Sequence, residues 1–224
     1  MNKLEVCCAD IESVMAAREG GADRVELCSA LEVGGLTPSL GLIEGAVKIF
    51  GKNVNVLIRE RPGDFVYSEA ELEVMAKDIE VCRKSGVGAV VIGALRRDGH
   101  VDIKAVNYLM KAAEGLEVTF HRAFDEVKEP LKALEEIIEC GCHRILTSGQ
   151  TESAFQGKEL LKTINERSRG RIIILPGAGV THENAGEILD FTGCHEIHAS
   201  AKVKVGDHIQ SSPELVRKIK EAIS

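Results

Sequence analysis

Short apolar runs alternate with longer amphipathic stretches along the whole chain. Runs rich in Val, Ile and Leu occupy 4–9, 24–30, 54–59, 89–95, 117–122, 144–149, 171–177 and 196–201. Between them lie segments such as "SEAELEVMAKDIEVCRKSG" and "EPLKALEEIIECG", whose apolar positions recur at helical spacing. The pattern predicts eight strand-helix units. Local signals agree with it: Ser68 followed by Glu71 reads as a capping box, Pro130 suits a first helical turn, and Gly20, Gly86 and Gly141 suit helix ends.

An internal echo sharpens the expectation. "GADRVELC" (21–28), "GVGAVVIG" (86–93), "GCHRILTS" (141–148) and "GCHEIHAS" (193–200) share one frame, in which a helix-ending glycine precedes a strand that closes on a small residue. These are the even-numbered strands. Eight units with a two-fold echo predict an α/β fold, a single (β/α)8 TIM barrel spanning 1–224 as one domain. A doubly wound open sheet is the alternative, but it normally begins with a glycine-rich turn that "CCADIES" lacks.

Strand periodicity then assigns faces. Val25, Leu27, Val90, Ile92, Ile197, Leu4, Val6, Val118 and Phe120 should pack outward on the helices, which turns Glu5, Cys7, Arg24, Glu26, Cys28, Thr119, His121, Leu146, Ser148, Glu196, His198 and Ser200 into the barrel. Cys28, Gly93, Ser148 and Ser200 fall in the uppermost layer. They are small, and leave the C-terminal mouth open, where barrel proteins carry their sites.

Composition narrows the function classes. The 224 residues carry a net charge of -7, so no basic surface for nucleic acid is evident, and no apolar run nears the roughly 20 residues of a membrane span. The opening "MNKLEVCCAD" has no signal-peptide pattern, which predicts a cytoplasmic protein. Seven cysteines fit reduced thiols better than a disulfide framework, and Cys7-Cys8 and Cys140-x-Cys142 are not zinc-knuckle spacings.

Buried carboxylates need partners, so Glu5, Glu26 and Glu196 together with Arg24 and His198 predict a charged network. At the foot of the barrel that network is structural, for Glu5 and Arg24. For Glu26, His121 and His198 both roles stay open, scaffold or catalytic group. At the rim, Arg59, Arg61, Arg96, Arg97 and Arg122 follow strands 3, 4 and 5 and suggest a small anionic ligand. Gly177 and Gly179 in "PGAGV", with Ser148 and Ser200, add ligand-binding candidates where many barrels hold phosphate. Lys202 alone follows a strand end as a lysine, which disfavours Schiff-base chemistry.

"EVC", "RVELC", "GGLTPS", "GDF", "DGHVD", "TFHRAFD", "RILTSGQ", "PGAGV" and "EIHASA" together resemble the CutC family, described as copper homeostasis proteins. The resemblance runs from the first strand to the eighth. It implies a cytosolic TIM barrel that forms a homo-oligomer, a dimer in the first instance, and that is linked by name to copper tolerance. Two departures stand out: Glu60 and Pro62 in "IRERPGDF", where the family tends to have Pro and Gly, and a short stretch after strand 8. The copper reading needs ligands, and Cys7 and Cys28 face inward on adjacent strands as soft donors for Cu(I). The competing reading is an enzyme doing acid-base chemistry on a small anionic, including phosphorylated, substrate at the mouth.

Overall fold

The computed structural model describes residues 2–206 and 208–224. Strands and helices alternate: β1 (Lys3–Cys8), α1 (Ile11–Glu19), β2 (Arg24–Leu27), α2 (Leu40–Phe50), β3 (Val54–Leu57), α3 (Glu69–Ser85), β4 (Ala89–Ile92), α4 (Ile103–Ala112), β5 (Glu117–Phe120), α5 (Pro130–Glu139), β6 (Arg144–Thr147), α6 (Lys158–Ser168), β7 (Ile173–Pro176), α7 (Ala185–Thr192) and β8 (Glu196–Ala199). A hairpin, β9 (Lys202–Val205) with β10 (His208–Ser211), and α8 (Pro213–Ala222) complete the chain. The eight parallel strands run in the order β7-β6-β5-β4-β3-β2-β1-β8, and β7 lies against β8, so the sheet curls into a (β/α)8 TIM barrel. Among the described residues no helix is long and apolar enough to cross a membrane.

The faces follow the period of two. Val6, Val25, Leu27, Val90, Ile92, Val118, Phe120 and Ile197 are buried in one outer core between strands and helices. Each such side chain contributes about 1.5–3 kcal/mol on leaving water. Inside the barrel a separate, smaller cluster joins Cys7, Cys28, Leu57 and Val91. The helix signals hold as well: Ser68 and Glu71 form the capping box of α3, Pro130 begins α5, and Gly86 and Gly141 take positive φ at helix ends.

At the N-terminal foot of the barrel the interior charges pair. Arg24 donates from Nε to Glu5 and from Nη2 to Glu196 at 2.6 Å; Arg144 Nε reaches the same Glu196 oxygen at 3.0 Å, and Asn55 Nδ2 donates to Glu5 at 2.8 Å. Every buried carboxylate there has donors, which is the condition for burying one.

One expectation is corrected. Several strands end two or three residues before their apolar runs do, because the last positions leave the sheet to build loops over the mouth; Ser29, for example, pairs instead with Leu36. The segment after strand 8 supplies the β9–β10 hairpin and α8. Ser211 anchors the hairpin, donating from Oγ to Ser200 O at 2.9 Å and from its backbone N–H to Ser13 Oγ at 3.1 Å.

Candidate active site at the barrel mouth

A cavity of about 640 Å³ opens at the C-terminal end of the barrel. Glu26, His198 and Cys7 line its floor, with His121, Arg59 and Phe65 on the side of β3 to β5. Its size is that of a small-molecule site, at about 300–1,000 Å³.

His198 is oriented from below. Its Nδ1 lies 2.8 Å from Glu5 Oε1, and its Nε2 lies 3.9 Å from Glu26 Oε2. Burial disfavours the imidazolium, yet Glu26, Cys7 and Glu5 together outweigh it and hold the His198 pKa well above its usual value. Glu5 is the reverse case: burial raises it, but Arg24 and His198 keep its carboxyl well below the carboxylate range. Glu26 has weaker support. Burial pushes its pKa up to about 7, against the lowering influence of His198. Two carboxylates within reach of one imidazole are thereby set far apart, one permanently ionised and one poised at neutrality.

The thiols complete the floor. Cys7 Sγ and Cys28 Sγ are 3.7 Å apart, and Cys28 is only 1% exposed because the loop carrying Gly35 folds across it. The hydrogen bond with Cys28, then burial, raises the Cys7 pKa well above its usual value. Cys7, Glu26 and His198 offer donor atoms within 4.8 Å of one another, a set that fits a metal ion if protons leave the thiol and the imidazole. Two metal-sulfur bonds of about 2.3 Å would span the 3.7 Å between the sulfurs.

His121 caps the short 3-10 turn Arg122–Glu126, its Nδ1 accepting the Ala123 N–H at 3.1 Å. Burial first, and Arg59 second, lower its pKa to about 3, so the ring is neutral. Gly93 makes room for it: a Cβ there would sit 2.5 Å from the imidazole. The Phe65 ring packs at 4.8 Å from its centroid.

The expected arginine rim is thinner than the sequence suggests. Arg59 lines the cavity but is buried and donates to the carbonyls of Val33, Gly35 and Gly63, stapling the "GGLTPS" loop to the "GDF" loop. Arg61 turns away, to Glu71, Asp64 and the Val66 carbonyl, and so steadies the loop that carries Glu60 and Pro62. Arg96 pairs with Asp98 at 3.1 Å, and neither it nor Arg97 lines the cavity. Arg122 does line it, half exposed, paired with Asp125 at 2.8 Å. Loop ion pairs that no strand pattern records decide these destinations.

Gly179 and Ser200 line the cavity, whereas Ser148 and Gly177 stand behind its wall. Ser148 is fully buried and bonded to Asp125 and Thr151. A Cβ at Gly177 would meet Leu146 at 2.6 Å and His198 at 3.3 Å, so packing accounts for that glycine.

Asp125 closes "TFHRAFD", and the sequence pattern alone assigns it no role. Its carboxylate accepts from Thr147 Oγ1, Ser148 N–H and Oγ, Gln150 N–H and Arg122, clamping the loop after β5 to the loop after β6. Four non-glycine residues at the mouth, Ala30, Gln150, Ala178 and Ala201, hold positive φ, at 49°, 60°, 81° and 46°. Such conformations are costly and gather where a site over-determines its loops.

A family model described as the CutC family matches residues 2–203. A family protein CutC of Glaesserella parasuis serovar 5 is 47% identical over 200 residues, covering 89% of this chain and 82% of that protein. One from Bacteroides thetaiotaomicron is 47% identical over 215 residues, covering 96% and 86%. Among solved structures, a protein described as a copper homeostasis protein, CutC from Streptococcus agalactiae, is 34% identical with a TM-score of 0.84, covering 88% of this chain and 98% of its own.

Proposed function

The chain belongs to the CutC family, and from that premise we propose that its barrel mouth carries out acid-base chemistry on a small anionic ligand, with Glu26 as the proton-transferring group. One observation carries the reading. The Glu26 carboxyl is 5% exposed, opens onto the cavity and has its pKa raised by burial to about 7, where a group both takes and returns a proton at neutral pH. His198, held as an imidazolium by Glu26, Cys7 and Glu5 against the cost of burial, lies beside it and stabilises the charge that forms when the proton leaves. Arg59 and Arg122 are the arginines lining the cavity, and they favour a ligand with negative charge.

The test is titration of the Glu26 carboxyl by carbon-13 NMR, assigned by its disappearance in Glu26→Gln. A midpoint near neutrality supports the reading; a midpoint at the usual 4.5 overturns it.

A second reading, Cu(I) handling, is favoured by the 3.7 Å between Cys7 and Cys28 and by the name of the Streptococcus relative. Cys7 and Cys28 would hold the ion, with His198 and Glu26 adjacent, and soft thiolates suit Cu(I). Cys7→Ser with Cys28→Ser should then abolish stoichiometric Cu(I) uptake against a competing chelator, while Cys82→Ser with Cys194→Ser should not. Equal loss from either pair would assign the uptake to adventitious thiols. Both readings take the protein as a cytoplasmic homodimer, which light scattering and cell fractionation test.

A further inference from the structure

A second cavity, of about 910 Å³, opens at the foot of the barrel, at the end opposite the mouth. It is lined by the first residues of β1, β2, β5 and β6, which are Lys3, Arg24, Glu117 and Arg144, and by the residues that end α4. Its volume suits a small molecule. The chemistry proposed for the mouth makes no use of it.

The charged network at the foot engages only part of its guanidinium donors. Arg24 donates from Nε to Glu5 and from Nη2 to Glu196, and Arg144 from Nε to Glu196 and from Nη1 to Glu117. Among the described residues, Arg24 Nη1 and Arg144 Nη2 have no hydrogen-bond partner, yet neither is an enclosed atom as Thr119 Oγ1 is, and both residues line the cavity. Arg24 and Arg144 are 7% and 6% exposed, so their carboxylate partners hold these donors in place. Fixed, unfilled guanidinium donors are a preformed seat for carboxylate oxygens. Lys52 lines the same cavity, and His143 adds a ring N–H: its Nδ1 accepts the Val118 N–H at 3.0 Å, which leaves Nε2 as the donor.

A bare anion does not suit the cavity. Lys3, Arg24, Lys52 and Arg144 are matched there by Glu5, Glu114, Glu117 and Glu196, and Asp23 is taken by Lys220 at 2.5 Å. A ligand of no net charge keeps that balance, provided each of its ends meets the opposite sign. Glu117 supplies the second sign directly beside the first. One of its oxygens holds Arg144, and the other has no partner among the described residues, on a side chain that is 53% exposed. The end of α4 leads through Gly115 and Leu116 into Glu117, and the terminal carbonyls of a helix favour a cation. A cation seat and a carboxylate seat on two bonded side chains match the ammonium and carboxylate of an α-amino acid, which share one carbon. Val87, Met110 and Leu116 complete the lining with apolar surface.

We propose that the foot cavity binds a free α-amino acid with an aliphatic side chain, its carboxylate on Arg24, Arg144 and Lys52, its ammonium on Glu117, and its side chain against Met110 and Leu116. The site is separate from the mouth, and it stands or falls independently of the acid-base and copper readings.

The experiment titrates the whole protein with leucine, isoleucine, valine and methionine, by calorimetry and by nitrogen-15 NMR of the arginine Nε–H groups. At least one of these amino acids should bind with one-to-one stoichiometry and move the Arg24 and Arg144 resonances, while the ring resonances of His121 and His198 stay in place. N-acetyl-leucine lacks the ammonium and leucinamide lacks the carboxylate, so each should bind at least about tenfold more weakly than leucine, as the loss of one charged hydrogen bond requires. Glu117→Gln and Lys52→Ala alter exposed side chains and should weaken leucine by a similar factor. Absence of binding by all four amino acids overturns the proposal. So does equal affinity for N-acetyl-leucine, which would assign a bare anion site, or a response confined to His121 and His198, which would move the amino acid to the mouth.

Discussion

His198 lies opposite Glu5 in the β1–β8 register, and Nδ1 of the one meets Oε1 of the other at 2.8 Å. Glu5 also takes the Arg24 and Asn55 donors, so a single carboxylate joins the charged foot of the barrel to the floor of its mouth. The foot thus sets the protonation and angle of a site residue above it.

Glu5→Gln should therefore act at both levels. Removing one member of a buried ion network costs about 3–5 kcal/mol. Urea unfolding should register that loss, and the imidazole resonances of His198 should titrate lower than in the wild type.

Stability should depend on pH through two carboxyls with opposite signs. The folded pKa of Glu5 lies below its usual 4.5, so its contribution is present above that value and is lost as pH falls below it. The folded pKa of Glu26 is raised from 4.5 to about 7, so the native state keeps a proton that the unfolded chain releases, and stability falls as pH rises through that window. The loss amounts to roughly 3 kcal/mol. His198 works in the same sense but at higher pH, because its raised pKa preserves its contribution until the imidazolium itself deprotonates. Denaturation midpoints of Glu26→Gln should lack the decline between pH 4.5 and 7 while keeping the acid limb.

Gly93→Ala tests the seat of His121. The added methyl would lie 2.5 Å from the ring, which must tilt or shift. Overpacking of this kind costs about 1–3 kcal/mol. A folded variant whose His121 resonances move while those of His198 do not is the expected outcome.

Asp125→Ala removes the acceptor shared by Thr147, Ser148, Gln150 and Arg122. The loss of hydrogen bonds to a charged acceptor should lower stability by about 2–3 kcal/mol. Proteolytic nicking near residues 149–151 should rise with it.

Phosphate should raise the melting temperature more than chloride at matched ionic strength, by binding the folded state at the mouth. Arg122→Ala should reduce that increment, since Arg122 lines the cavity, whereas Arg61→Ala should not, since Arg61 is engaged by Glu71 and Asp64. Equal effects of the two substitutions would place the anion elsewhere.

Alternation of short apolar runs with amphipathic segments determined the barrel, and the period of two along each strand determined that Glu26, His121, His198, Cys7 and Cys28 point inward. Those are local properties: a strand sends its neighbours to opposite faces wherever it lies. Destinations off the strands were a different matter. Arg61 and Arg96 read as rim cations because they follow strands, but each is captured by an acid on its own loop, Asp64 and Asp98, and Arg61 also by Glu71 at the start of α3. Ser148 is drawn behind the wall by Asp125, whose five donors converge only when the loops after β5 and β6 meet. The seat of the His121 ring depends on Gly93 just past β4 and Phe65 from the β3 loop, and the poise of Glu26 on burial beside an imidazole from β8 that also meets Glu5. Strand pattern is a property of residues two apart, whereas the acidity of a buried group depends on what long-range folding places within a few ångströms of it, and in this barrel those neighbours come from strands far apart in the chain.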